Sequence, residues 1–368
     1  MNNMNFDSLN LLRKLVETES PSHDKSAVDK VGLLVAEECR QLDADLNIVE
    51  QPELGNHILA RWGKGQNGVL LLHHMDTVFP LGTLEKMPFY QKEDKTYGPG
   101  VLDMKGGIVI TLSAIHRLLA EKQMPVRPVT ALFTSDEEIG SDSSRALIED
   151  LARESALVLV LESGLVDSAL KVWRKGVGEF HVKVQGRASH AGGAHEDGRN
   201  AIQEMAHQVL AIQSMTDYGK GTTLNVGIIK GGTASNVVPA ECESFVDYRV
   251  LVSEEADRVD KAMKSLKPVT PGTSVSVTGG LNRPPMPNDN MMKKTFDKAS
   301  RIAAEIGMSL KSGGSGGGSD ANFVAPLGIP VLDGLGTFGE GYHSEREYIF
   351  TESLNSRSEL VAALINHW

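Results

Sequence analysis

Apolar residues follow two rhythms along this chain. Val69, Leu70, Leu71 and Leu72, the run 129–133, the run 157–161 and the pair Val331 and Leu332 are short, unbroken and rich in branched side chains, which predicts strands buried on both faces. Val28, Val31, Val35, Cys39 and Leu42 instead recur at helical spacing, as do Ile108, Leu112, Ile115 and Leu119, so each set predicts a helix with one core-facing stripe. Further on, Phe180, Val182 and Val184 alternate as on a half-buried strand, and residues 200–214 read as a helix. Leu224, Val226 and Ile228 alternate again, as does the segment 243–251. Ser253 is expected to cap a helix whose Glu254 and Glu255 suit its N-terminal dipole, and residues 274–278 add a last strand.

That middle stretch reads β-α-β-β-α-β, the order of a ferredoxin-like unit. It separates two parts whose polar residues suggest one site. The predicted fold is therefore α/β: a mixed sheet flanked by helices, with an inserted ferredoxin-like α+β domain. The expected bounds are 1–169 and 285–368 for the two parts of a catalytic domain and 170–284 for the insertion. A chain of 368 residues exceeds the usual size of a single core, which agrees with two domains.

The chemistry sits where the buried strands end, which is where open α/β sheets collect their ligands. Residues 69–72 run into His73-His74-Met75-Asp76; 129–133 run into Thr134-Ser135-Asp136-Glu137-Glu138; 157–161 run into Glu162; and the strand at Val331 opens the stretch reaching His343. His74, Asp103, Glu138, Glu162 and His343 are candidate metal ligands. Imidazole mixed with carboxylate suits zinc and its borderline neighbours better than magnesium or calcium. If Asp103 bridges two dications, the three carboxylates leave the pair one positive charge, which a bound hydroxide neutralises. Glu137 is the expected proton acceptor beside them. Asp76, two residues past His74, is expected to hold the ring nitrogen that faces away from a metal. His73 points to the opposite face of its strand and is read as packing or as a residue that supports a ligand without touching a metal.

Four ordered motifs, His74-Met75-Asp76-Thr77-Val78, Gly100-Val101-Leu102-Asp103-Met104-Lys105-Gly106-Gly107, Asp136-Glu137-Glu138-Ile139-Gly140 and Tyr342-His343-Ser344-Glu345, together resemble peptidase family M-twenty. Within it the chain is most similar to bacterial glutamate carboxypeptidases of the folate-hydrolysing type. Ser189-His190-Ala191-Gly192 and Gly317-Gly318-Ser319-Asp320-Ala321 belong to the same resemblance. It implies a zinc-peptidase-like fold with two zinc ions, cobalt or manganese serving as substitutes. His74, Asp103 and Glu162 would hold one ion and Asp103, Glu138 and His343 the other, with Glu137 as general base. It further implies that His190 stabilises the oxyanion, reaching across a dimer, and that Asn236 and Arg283 grip the substrate's terminal carboxylate. The inserted domain would act as lid and would pair two subunits, for which its exposed edge strand gives a physical reason. Arg249 has two readings, binding an acidic substrate side chain or pairing with Asp247.

Composition narrows the partners. The net charge of -11 disfavours nucleic acid and anionic membrane. No apolar stretch approaches spanning length, and the first residues lack the pattern of a secretory signal, so a cytoplasmic location is expected. Cys39 and Cys242 suggest no disulfide, Cys39 lying on a core stripe. The glycine-rich run 313–319 lacks the features of a phosphate loop and is expected to let backbone amides approach substrate. The activity that the resemblance implies is hydrolysis of an amide bond next to a C-terminal amino acid carboxylate in a small peptide or N-acyl amino acid. The alternatives are an N-acyl amino acid deacylase or dipeptidase with the same metal machinery, and a catalytically silent dimeric binding protein.

Overall fold

A computed structural model describes residues 6–368 and divides them into two compact units. The first runs through Trp173 and includes Asn288–Ser315 and Ser319–Trp368; the second comprises Arg174–Pro287 and Gly316–Gly318.

The first unit is built on an eight-stranded mixed sheet. Its strands lie in the order Asp45–Val49, His57–Trp62, Val129–Thr134, Gly68–His74, Ser155–Val160, Val331–Asp333, Leu170–Arg174, Ser312–Ser315. The three strands around Gly68–His74 run parallel, and that central strand is buried along its whole length, as its unbroken apolar run predicts. Helices Ser8–Glu17, Lys25–Gln41, Gly106–Ala120 and Ser353–His367 bury their apolar stripes in the same core. Val28, Val31, Val35 and Cys39 are all fully buried. Residues 170–173 belong to this unit and not to the insertion, because their strand carries the large sheet one step further.

The helix Gly106–Ala120 begins with two glycines for a steric reason. A Cβ on Gly107 would stand 2.2 Å from the carbonyl oxygen of Leu161, and one on Gly106 would stand 2.6 Å from Thr337. Packing accounts for the first two glycines of the run 313–319. The Trp173 ring lies where a Cβ of Gly314 would be, and Leu165 crowds Gly313 in the same way.

The second unit is a four-stranded antiparallel sheet in the order Thr223–Gly231, Glu241–Val250, Gly176–Gln185, Ser274–Arg283. Helices Ala201–Gln213 and Ser253–Lys264 share one core with Phe180, Val182, Val184, Val246 and Tyr248. Along Gly176–Gln185 burial alternates strictly, which is the period-2 signature of one covered face. Ser253 is the first helical residue and not the cap. Val252 holds the cap position and offers its backbone carbonyl to the Glu255 amide, with no side-chain hydrogen bond.

Candidate metal centre

His74 closes its strand and Glu162 lies two residues beyond the neighbouring one, so the parallel register Leu72↔Val160 carries both to the same end of the sheet. The His74 Nε2 stands 3.1 Å from Asp103 Oδ1 and 3.4 Å from Glu162 Oε1. Asp103 comes from the irregular segment Val101–Lys105, which follows Gly100 at φ 75° and contains a cis peptide between Asp103 and Met104. Its second oxygen, Oδ2, lies 3.1 Å from His343 Nε2, which is also 3.2 Å from Glu138 Oε2. Glu138 sits on the turn Glu137–Ile139 that follows the strand Val129–Thr134.

His343 arrives by a different route from the one its distance along the chain suggests. The strand Val331–Asp333 stops ten residues before it, and His343 belongs to the turn between Gly339–Glu340 and Tyr348–Phe350 of a separate four-stranded sheet. Both Gly341 and His343 take left-handed backbone there, with φ of 85° and 59°.

Two groups of donors result: His74, Asp103 and Glu162, and Asp103, Glu138 and His343. Within each group the donor atoms all lie within 4.8 Å of one another. Asp103 is common to both.

The electrostatics of this cluster are those of a site built for cations. Burial opposes a charge on His74, but Asp103, Asp76 and Glu162 together outweigh it and hold the imidazole well above its ordinary range. Hydrogen bonds to Asp103 and then Glu138 push His343 up to about 11. Burial, followed by the charge of Asp103, raises Glu138 to about 7. Asp103 is displaced far downward, since His343 and His74 overcome its burial. Glu138 Oε1 is buried without a hydrogen-bond partner. Three crowded carboxylates and an orphaned oxygen fit two divalent ions, which would displace the imidazole protons and compensate the carboxylates directly.

The surroundings orient the ligands. His74 Nδ1 donates to the Asp76 backbone carbonyl at 2.9 Å, which leaves Nε2 to face the cluster. The Asp76 carboxylate pairs with the same nitrogen at 3.5 Å, and it also accepts from Ser22 Oγ at 2.7 Å and from the amides of Glu137 and Glu138. One buried carboxylate thus fixes the turn that carries both Glu137 and Glu138. Lys105, 1% exposed, ties the same region to the first helix by donating to the carbonyls of Leu15 and Thr18. Burial brings its ammonium down to about 7, against the charges of Glu347, Glu19 and Asp76. Ser22 carries no sequence signal, whereas Lys105 stands in the motif of residues 100–107, two residues after Asp103.

The remaining candidates lie in the second unit. His190 pairs with Val237 across a short two-stranded ladder, and the amide of Ala191 donates to the carbonyl of Asn236, so these two candidates are neighbours. The His190 Nδ1 accepts from the amides of Gly192 and Gly193 at 3.1 and 3.0 Å. In the neutral ring this assigns the proton to Nε2, the tautomer that donates outward. Arg283 ends the strand Ser274–Arg283 and is buried, with Gly318 packed against its side chain. Arg249 takes the pairing reading: its Nε and Nη2 grip Asp247 at 2.7–3.0 Å.

Comparison with known proteins agrees with this geometry. Residues 70–367 match the family described as Peptidase family M20/M25/M40. The chain is 34% identical to Carboxypeptidase G2 of Pseudomonas sp. (strain RS-16) over 365 residues, covering 96% of this chain and 87% of that protein. Among solved structures it is similar to aminopeptidase PepT of Bacillus cereus, with a TM-score of 0.76 at 24% identity, covering 98% of this chain and 97% of that one. It is also similar to a metallo-carboxypeptidase of Sulfolobus solfataricus, with a TM-score of 0.77 at 16% identity and 98% of each chain covered. With its paired donor groups and a match over most of its length, the chain belongs to peptidase family M20/M25/M40 and is a metallopeptidase.

Proposed function

We propose that this protein is a dinuclear zinc carboxypeptidase that hydrolyses the amide bond next to a C-terminal amino acid, glutamate foremost, in a small peptide or N-acyl amino acid. The observation that carries the reading is Asp103, whose two oxygens face two different imidazoles, with Glu137 next to a ligand of the second group. The 34% identity to Carboxypeptidase G2 supports the choice of carboxypeptidase.

His74, Asp103 and Glu162 would hold one ion and Asp103, Glu138 and His343 the other. When bound, the ions supply Lewis acidity toward the scissile carbonyl and make water acidic enough to attack near neutral pH. Glu137 takes a proton from the attacking water and delivers it to the departing amine nitrogen. His190, with its proton on Nε2, donates to the oxygen on which negative charge develops. Asn236 and Arg283 bind the terminal carboxylate, a task suited to a planar guanidinium. For Arg249 to contact an acidic substrate side chain, the substrate would have to compete with Asp247. The second unit serves as lid and dimerisation domain.

The test is a panel of folates, N-acyl amino acids and short peptides, with free amino acid identified at each end. Release of the C-terminal residue, abolished by chelation, restored by zinc and reduced at least about a hundredfold in Glu137→Gln, is the expected result. Turnover confined to dipeptides, whose single cleavage frees both residues, would turn the reading to a dipeptidase. Absence of turnover in zinc-loaded protein would leave the silent binding protein.

A further inference from the structure

Glu347 is a fully buried carboxylate in the segment that carries His343, yet its hydrogen bonds go to the segment that carries Asp103. Oε2 accepts from the amide of Gly100 at 3.1 Å, and Oε1 from the amides of Leu102 and Asp103 at 2.8 and 3.1 Å. Segment Val101–Lys105 needs such a partner, because Asp103 and Met104 depart from helical geometry and the donors ahead of the helix Gly106–Ala120 are left over.

The other ligands have different anchors. His74 and Glu162 follow adjacent parallel strands, and Glu138 rides on a turn whose amide is bonded to Asp76. His343 stands on a left-handed turn with a half-exposed side chain. Four residues later, Glu347 fastens that turn to the backbone of Asp103.

We propose that Glu347 is a positioning residue that sets the distance between Asp103 and His343, and so selectively maintains the site formed by Asp103, Glu138 and His343. The inference rests on the two-ion reading above. It assigns a different dependence to the two ions: Asp103 serves both, but the site of His74, Asp103 and Glu162 keeps two ligands fixed by parallel strands when Glu347 is altered, while the other has both Asp103 and His343 released from one another. Glu347→Gln is the informative change because it keeps the side chain's volume. An amide has one acceptor oxygen, and its NH2 group would face a backbone donor, so at least one of the three bonds is lost.

The experiment is titration of metal-free protein with zinc against a competing chelator, together with cobalt uptake followed by its visible absorption. In Glu347→Gln the first equivalent is expected to bind within about threefold of the parent protein. The second should weaken at least tenfold, with a changed absorption for the second cobalt alone. Equal weakening of both equivalents, or no change in either, overturns the proposal. Fewer than two ions in the parent protein overturns the two-ion reading and this inference with it. Should the glutamine variant fail to fold, Glu347→Asp, which keeps the charge and shortens the reach by one methylene, is judged by the same criteria.

Discussion

His73 and His74 are adjacent in the chain and opposite in electrostatic character. His74 faces three carboxylates and is held charged, whereas burial, aided by the charge of His74 and opposed by the hydrogen bond to the Leu132 carbonyl, leaves His73 down at about 3. Its Nδ1 donates to the carbonyl of Leu132 at 3.2 Å, its Nε2 accepts from Thr111 Oγ1 at 2.8 Å, and its ring stacks on Phe133. The alternation of a strand separates the two rings, which is why His73 reads as packing from sequence. A histidine that stays neutral when folded but protonates near pH 6.5 when unfolded lets the unfolded chain bind more protons as pH falls. The stability it contributes is full above pH 6.5 and declines below it. Between pH 7 and pH 5 the parent protein should therefore lose about 2 kcal/mol more than His73→Gln, measured by urea unfolding in the presence of a chelator. Parallel losses in the two proteins would show that His73 is not buried neutral.

At the scale of elements, the sheet and the helix Gly106–Ala120 meet with no spare room, and the site depends on it. Leu161, whose carbonyl oxygen would lie 2.2 Å from a Cβ on Gly107, directly precedes Glu162, and Gly107 itself lies four residues from Asp103. Gly107→Ala would gain up to about 1 kcal/mol of helix propensity, but the clash is with backbone, and overpacking of this kind costs about 1–3 kcal/mol. Net destabilisation in thermal unfolding, together with weaker zinc binding, is the expected outcome; an unchanged or raised melting temperature would show that the helix can shift freely. The double glycine was visible in the sequence as a tight start to a helix. What it packs against was not, because Leu161 is more than fifty residues away.

For the whole molecule, an exposed sheet edge bears on assembly. The strand Thr223–Gly231 is the edge of its sheet, and Ile228 and Ile229 on it are 52% and 51% exposed. Two exposed isoleucines beside unpaired backbone groups are a surface that pairing would cover. The chain is expected to sediment as a dimer at micromolar concentration and Ile228→Lys as a monomer. A monomeric parent protein, or a dimeric variant with unchanged mass, would remove the edge strand as the interface. Among the described residues no helix is long and apolar enough to cross a membrane.

Much of this protein is determined by short-range pattern. Unbroken apolar runs specify the buried strands, alternation specifies the half-covered sheet of the second unit, and helical spacing specifies the stripes at Val28 and Ile108, because each depends only on the repeat of the local backbone. His74, Glu138 and Glu162 are legible for a related reason, since a polar residue at the close of a buried strand emerges at the end of the sheet; Asp103 and His343 follow no such strand and stand out only through the motifs around them. Only the tertiary structure decided that Asp103 turns one oxygen to His74 and the other to a histidine 240 positions later, that His343 comes from a separate small sheet, and that Glu347 clasps the Asp103 segment. Those relations are set by packing between segments far apart in the chain, and no local repeat encodes which distant partner a side chain will meet.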